Sequence, residues 1–128
     1  MSAPATIAVL PEADLDFLNE KGWRHEIAPY PGEVRIYIRD FPMPQSYTPR
    51  LTDLLIRLPF GYPHSNPDMF WTRPDVHLTS GVFPNRADYH DPTADGWQRW
   101  SRHSIWRPGT DNLRSKIASV KRELEAGT

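Results

Sequence analysis

Two side chains near position 100 could carry out nucleophilic chemistry together. Ser101 and His103 are separated by one residue, and in an extended segment such side chains point the same way and can meet. A histidine that removes the hydroxyl proton lets the serine oxygen attack a carbonyl group and hold the acyl group as an oxyester. The alternative interpretation is that His103 is a structural residue whose hydrogen bonds hold the surrounding tryptophan-rich segment in place.

Three histidines could in principle meet at one metal ion: His77, His90 and His103. None of them has the His-x-x-x-His or His-x-x-Glu-His spacing that marks a zinc site on a helix. We therefore expect no metal site, and nothing in the sequence indicates a cofactor.

Aromatic and cationic residues are concentrated around the Ser101–His103 pair. The cluster comprises Trp97, Arg99, Trp100, Arg102, Trp106 and Arg107. Trp and Arg are the commonest anchors of protein interfaces, but they also stack on each other through cation–π contacts and so hold a loop rigid. The cluster is predicted either to bind a partner or to stabilise its own segment. In the first case the binding residues would be Trp97, Arg99, Trp100, Arg102 and Trp106.

Composition excludes several classes of function. The chain has 128 residues and no cysteine, which excludes disulfides, thiolate zinc sites and cysteine nucleophiles. Its net charge of −1 gives no argument for nucleic acid or an acidic membrane as a partner. No apolar run approaches the roughly 20 residues that span a bilayer, and the first residues lack the pattern of a signal peptide. We therefore expect a cytoplasmic protein with neither nucleic acid nor membrane as a partner.

The clearest secondary-structure pattern lies in the middle of the chain. Apolar and polar residues alternate at 34–39 and again at 51–58, with the two-residue period of strands. Shorter strands are predicted at about 23–27 and 68–72, with prolines and glycines in the turns between them. Consecutive strands with short connections and flanking helices predict an α+β fold built on a four-stranded antiparallel meander.

Helices are predicted on both sides of this meander. The first ends at Gly22, and the last follows Thr110, which is a predicted N-cap. Between the meander and the last helix, residues 73–109 have almost no periodic apolar pattern, and we expect a long ordered loop pinned by Trp and Pro packing. Residues 1–9 are expected to be a flexible arm, and residues 10–128 a single domain.

Three elements of the sequence together resemble the ubiquitin-conjugating (UBC-like) superfamily. The segment Leu58–Phe70 resembles its strand, Tyr-Pro, proline, strand element. Phe83–Asn85 resembles the His-Pro-Asn triplet that precedes the active site, with Phe83 in place of the His, and Trp106–Pro108 resembles the Trp-x-Pro that follows the active site. The order and spacing of the three elements fit over about residues 10–125, so the resemblance implies a UBC-like fold.

A closer resemblance is to a bacterial branch, the prokaryotic family E of UBC-like proteins. The run Gly96–His103, followed by Trp106–Gly109, is similar to that family's signature, as is the Leu-Pro-x-Gly-Tyr-Pro run with Asp68–Trp71. The resemblance implies a role in a bacterial ubiquitin-like protein conjugation pathway. It implies three partners: a ubiquitin-like protein, a ubiquitin-activating-enzyme-like protein and a deubiquitinase-like peptidase. By the same analogy, the setting is antiviral defence.

The chain departs from the superfamily at the residue that normally carries the acyl group. The resemblance implies a cysteine shortly after Gly96 and ahead of Trp106, and this position falls on Gln98–Trp100, where no nucleophile is present. A thioester is therefore impossible in this protein. The resemblance also implies that Asn85 steadies a developing oxyanion by donating a hydrogen bond. The alternative is that Asn85, which follows Pro84, is a turn residue bonded to the local backbone.

The first predicted helix is the surface on which UBC-like proteins meet their activating enzyme. That surface is usually basic, whereas Glu12, Asp14, Asp16 and Glu20 make it acidic here, and we interpret these residues as a solvated face. Two functions are compatible with the sequence. The protein could carry a ubiquitin-like protein as an oxyester on Ser101 with His103 as base, or it could be a non-catalytic binding module for a ubiquitin-like protein.

Overall fold

Alternating apolar residues build an antiparallel sheet with helices on one of its faces. The computed structural model describes residues 10–81, 96–100 and 105–126. In chain order the elements are α1 (Glu12–Lys21), β1 (His25–Tyr30), β2 (Glu33–Pro42), β3 (Tyr47–Thr48), β4 (Leu51–Pro59), β5 (Phe70–Thr72), β6 (His77–Leu78), β7 (Gln98–Trp100) and α2 (Leu113–Ala126). None of the helices in the described part of the chain is both long enough and apolar enough to cross a membrane.

The main sheet has the strand order β1-β2-β4-β5-β7, and every neighbouring pair is antiparallel. Strands β3 and β6 form a separate two-stranded pair. In the long central pairing, Ile36 lies opposite Ile56, and Val34 lies opposite Leu58. The predicted α+β class, UBC-like arrangement, antiparallel meander and flanking helices are confirmed.

The predicted number of strands needs a correction. Residues 73–109 were expected to be a mostly irregular loop, and they contain two short strands, β6 and β7. Strand β7 joins the main sheet as a fifth strand, where four were predicted, and pairs Trp100 with Phe70. The sequence did not predict β7 because it has only three residues and its inward-facing Gln98 breaks the apolar alternation. The rest of the predicted loop at 82–95 and 101–104, like the predicted arm at 1–9, lies outside the described residues.

The core lies between the helices and the inner face of the sheet. The helices contribute Phe17, Leu18, Leu113, Ile117, Val120 and Leu124, and the strands contribute chiefly Val34, Ile36, Ile38, Leu54, Ile56, Leu58, Phe70 and Trp100. Each fully buried apolar side chain of this size stabilises the fold by roughly 1.5–3 kcal/mol relative to exposure. This packing fixes β7 and α2, the two elements that flank the candidate site in the sequence.

The C-terminal end of α1 lies where it was predicted, whereas the N-cap of α2 differs from the prediction. Gly22 ends α1 in the left-handed conformation, with φ of 71°, as predicted. At the start of α2 the N-cap is Asn112 and not Thr110, because Asn112 and Ser115 exchange side-chain-to-backbone hydrogen bonds of 3.0 and 2.9 Å. Thr110 instead belongs to the preceding turn, where its N–H donates to the carbonyl of Arg107.

Candidate functional site

A buried carboxylate joins three separate segments of the chain. The side chain of Asp14 is 1% exposed, and its two oxygens accept hydrogen bonds from the Tyr62 hydroxyl at 2.5 Å and the Leu113 N–H at 3.1 Å. Since Leu113 is the first residue of α2, the carboxylate lies at the positive end of that helix. Burial and the hydrogen bond to Asp14 raise the pKa of Tyr62 far above its usual value.

The interpretation of Asp14 as part of a solvated face is therefore wrong. Asp14 precedes Phe17 by three residues and Leu18 by four, so all three lie on the buried face of α1. The acidic character of the neighbouring residues hid this position in the sequence. Of the four acidic residues considered there, Glu12, Asp16 and Glu20 are exposed.

Trp106 ties the Trp-x-Pro segment to the Tyr-Pro segment. Its indole nitrogen donates to the carbonyl of Pro63 at 2.8 Å, and its ring centroid lies 6.0 Å from that of Tyr62. The N–H of the next residue, Arg107, donates to the Asp111 carboxylate at 2.7 Å. The two motifs on which the family resemblance rests are thus in direct contact, and together with Asp14 they position the start of α2.

Trp100 is an interior residue. It is 0% exposed, its indole nitrogen donates to the Thr72 hydroxyl at 3.0 Å, and its ring stacks on Phe70 with the centroids 5.4 Å apart. The edge of Tyr47 packs against it at 5.9 Å. Trp100 can therefore affect a partner only indirectly, by holding β7 in the sheet.

Trp97 lies on the opposite face of the sheet from Trp100. It belongs to a small cluster with Leu55 and Trp71 on this outer face, and the Arg73 guanidinium lies 4.1 Å from its ring centroid. Arg99 is half-buried and pairs across the strands with Trp71. The outer side of β7 therefore carries two of the predicted binding residues, the half-buried Arg99 and Trp97, which is only 7% exposed and packs against Arg73.

Ion pairs cover the rest of the outer face. Glu33 binds Arg35 at 2.7 Å and Arg57 at 2.8 Å, while Asp53 binds Arg39 and Arg73, each at 3.0 Å. Burial raises the pKa of the Glu33 carboxyl, but the hydrogen bonds and the charges of the two arginines together outweigh burial, so that this pKa lies below its usual value. These four arginines are therefore matched by carboxylates.

The residues at which the sequence resemblance places the missing cysteine, Gln98–Trp100, form β7. Gln98 is 0% exposed, and neither its amide nitrogen nor its amide oxygen has a hydrogen-bond partner in the described ranges. An unsatisfied buried polar group costs about 1–3 kcal/mol. The sequence analysis identified this position but assigned no role to Gln98.

Several predicted site residues lie outside the described residues, and their roles remain predictions. They are Asn85, Ser101, Arg102 and His103, together with the possible metal ligand His90. The remaining metal candidate, His77, is exposed, and its Nδ1 lies 2.8 Å from the carbonyl oxygen of Asp75. In the ranges that the structure describes, no three His, Asp or Glu side chains are grouped so that they could hold a metal ion.

A buried lysine that the sequence analysis did not single out lines a small cavity beside Trp106. Lys116 is 4% exposed, and the cavity of about 100 Å³ is formed by α2 and the segment before it. Burial lowers the pKa of Lys116 to about 8, although the charges of Asp68 and Glu123 oppose this shift. The sequence offered one signal for its burial. Lys116 follows Leu113 by three residues and precedes Val120 by four, so it lies on the apolar face of α2.

Comparison with known proteins agrees with the resemblance seen in the sequence. The model of the family described as prokaryotic E2 family E matches residues 10–127. No match was found among curated proteins or among solved structures. The family match covers all of the structural elements described above.

Proposed function

Because this chain belongs to prokaryotic E2 family E, we propose that it acts in a bacterial ubiquitin-like protein conjugation pathway by binding a ubiquitin-like protein. The observation that carries the proposal is a family match over residues 10–127 in a chain without cysteine. The match covers nearly the whole chain, whereas the thioester chemistry of conjugating enzymes requires a sulfur nucleophile. A domain of this kind can still hold a ubiquitin-like protein for another component.

The geometry of β7 supports binding through its outer side. Trp97 and Arg99 lie there, and Trp100 holds the strand from within the core. The proposed contact residue on this side is Arg99, supported by the mostly buried Trp97, with Trp106 and Arg102 nearby in the sequence. The further proposed partners are a ubiquitin-activating-enzyme-like protein and a deubiquitinase-like peptidase. We propose that the protein acts with them in the cytoplasm and that the pathway serves antiviral defence.

A second candidate function is an oxyester carrier. It is favoured by the place of Ser101, which directly follows Trp100, the last residue of β7. In this reaction His103 removes the proton of the Ser101 hydroxyl, and the oxygen attacks the carbonyl carbon of an activated ubiquitin-like C-terminus. The bond to the leaving thiol breaks and the thiol leaves with a proton, while Asn85 donates a hydrogen bond to the oxyanion.

Binding is tested by calorimetry with the purified protein and a bacterial ubiquitin-like protein. We expect Arg99→Glu to weaken the affinity at least tenfold, because it reverses a charge on the proposed surface. Arg24→Glu is the matched control, since Arg24 is exposed and precedes β1, at the opposite edge of the sheet. The proposal is contradicted if the native protein shows no affinity, or if both substitutions have the same effect.

The carrier function is tested by adding activating enzyme and ATP and measuring the intact mass. An oxyester adduct would survive thiol reductants and be cleaved by hydroxylamine. It should disappear in Ser101→Ala, and it should form roughly 10²–10⁴-fold more slowly in His103→Ala. Tight binding without any adduct would exclude the carrier and leave the binding module.

A further inference from the structure

We propose that the amine of Lys116 is an acyl acceptor, so that the protein is acylated by a glycyl thioester in the cavity beside Trp106. The natural donor, an activated ubiquitin-like C-terminus, rests on the proposed function. The reactivity of the lysine itself does not depend on that function, and a small thioester can test it separately.

The first support is the shape of the site. The cavity of about 100 Å³ is lined by Ile105, Trp106, Asp111 and Lys116 with residues of the following turns of α2, and Ile105 is 81% exposed. One water needs about 10–15 Å³ of such volume. The cavity therefore has room for several waters, or for a small acyl group in their place.

The second support is the lack of a partner for the amine. The Lys116 residue is 4% exposed, and no ion pair holds its amine within residues 10–81, 96–100 and 105–126; the amine is also not one of the fully buried atoms there that lack a hydrogen bond, so it keeps contact with solvent. Buried lysines that only stabilise a fold are normally paired, because a buried unpaired charge is costly. The neighbouring Arg114, by contrast, binds Glu20 across to α1 at 2.8 Å.

The third support is the balance of charges around the amine. Asp68, ahead of β5, and Glu123, on α2, both favour the charged form, but burial outweighs them and lowers the pKa of Lys116 to about 8. Asp111 and Arg122, which also line the cavity, contribute one charge of each sign. At pH 8 about half of the lysine is therefore neutral, whereas an ordinary lysine is less than about 1% neutral.

A neutral amine is the species that acyl transfer requires, and Lys116 is one of the residues that line the cavity. The lone pair of Nζ attacks the thioester carbonyl carbon, and the resulting tetrahedral intermediate expels the sulfur as the carbon–sulfur bond breaks. The nitrogen loses its proton to solvent, and the thiolate leaves and takes up a proton. The products are an amide on Lys116 and a free thiol, with no oxidation or reduction.

The experiment uses the native protein and the thioester of glycylglycine with 2-mercaptoethanesulfonate. The three lysines of the chain are Lys21, Lys116 and Lys121, and peptide mass spectrometry measures the labelling of each one and of the N-terminal amine separately. We expect Lys116 to be labelled at least tenfold faster than Lys121 at pH 8. Its labelling rate should reach half of its maximum near pH 8, the pKa to which burial lowers Lys116.

Lys121 is the matched control because it is exposed and lies on the same helix. Lys116→Met should remove the fast labelling while Lys121→Met leaves it unchanged, and thermal melting checks that both variants fold. The inference is overturned if Lys116 in the native protein is labelled no faster than Lys121, a result that does not depend on any variant. Fast labelling without binding of a ubiquitin-like protein would contradict the proposed function alone, and binding without fast labelling would contradict this inference alone.

Discussion

Asp14 and Lys116 are both ionisable, both almost fully buried and both associated with the first turns of α2, but their surroundings differ. The carboxylate of Asp14 accepts hydrogen bonds from Tyr62 and from the start of the helix. The amine of Lys116 has no such partner within the ranges that the structure describes and lies beside a cavity. The buried carboxylate thus positions the helix, while burial disfavours the charged form of the lysine. A buried ionisable group with a perturbed pKa beside a cavity is a candidate for a functional site.

On the outer face of the sheet, charged side chains also have partners, as the carboxylate of Asp14 does. Its arginines are held by Glu33 and Asp53 and stack on aromatic rings, as Arg57 does on Trp71 with 5.0 Å to the centroid. Matched charges are therefore common in this protein. Lys116 differs from these arginines because it is more deeply buried and forms no ion pair within the described residues.

The largest expected effect is the loss of Asp14. Asp14→Ala leaves the Tyr62 hydroxyl and the Leu113 N–H buried without their acceptor, and we expect the free energy of unfolding to fall by about 3 kcal/mol. Urea denaturation measures this change. Asp16→Ala is the control, since Asp16 is exposed on the same helix, and it should change stability by less than about 0.5 kcal/mol. Equal losses of stability in the two variants would show that the buried contacts of Asp14 do not stabilise the fold.

Replacement of Lys116 is expected to raise the free energy of unfolding, in contrast to the loss of Asp14. Lys116→Met keeps the length of the side chain and removes the buried charge, so the free energy of unfolding at pH 7 should rise by about 2 kcal/mol. The same denaturation experiment checks it, with Lys121→Met as the exposed control. A loss of stability in Lys116→Met would mean that the amine has a stabilising partner after all.

The stability of the native protein should also depend on pH through Lys116. Because burial lowers its folded-state pKa to about 8, the unfolded chain holds one more proton than the folded protein between about pH 8 and pH 10. Stability should therefore rise over this window, by at most about 1.4 kcal/mol per pH unit. Above about pH 10 it should fall again, since the raised pKa of Tyr62 keeps its hydroxyl protonated only in the folded state. In Lys116→Met the rise should be absent, and its persistence would assign it to another group.

The sequence predicted the fold better than it predicted the site, for a physical reason. The alternation at 34–39 and 51–58 reports burial directly, so the meander was visible, whereas the three residues of β7 are too few to show a period. Asp14 and Lys116 are polar residues at apolar positions of amphipathic helices, and a single sequence does not show whether such a residue is paired. Their difference depends on contacts between residues far apart in the chain, such as Asp14 with Leu113.

The smallest expected effect concerns the hydroxyl that completes the surroundings of Asp14. Tyr62→Phe keeps the ring that packs against Trp106 but removes one of the two hydrogen bonds to the carboxylate. The remaining bond from Leu113 and the helix terminus still compensate the buried charge, so we expect a loss of about 1 kcal/mol in the free energy of unfolding. In the background of Asp14→Ala the same change should cost less, because the hydroxyl has then already lost its acceptor. A double-mutant cycle measures this coupling, and additive losses would show that Asp14 positions α2 without the Tyr-Pro motif.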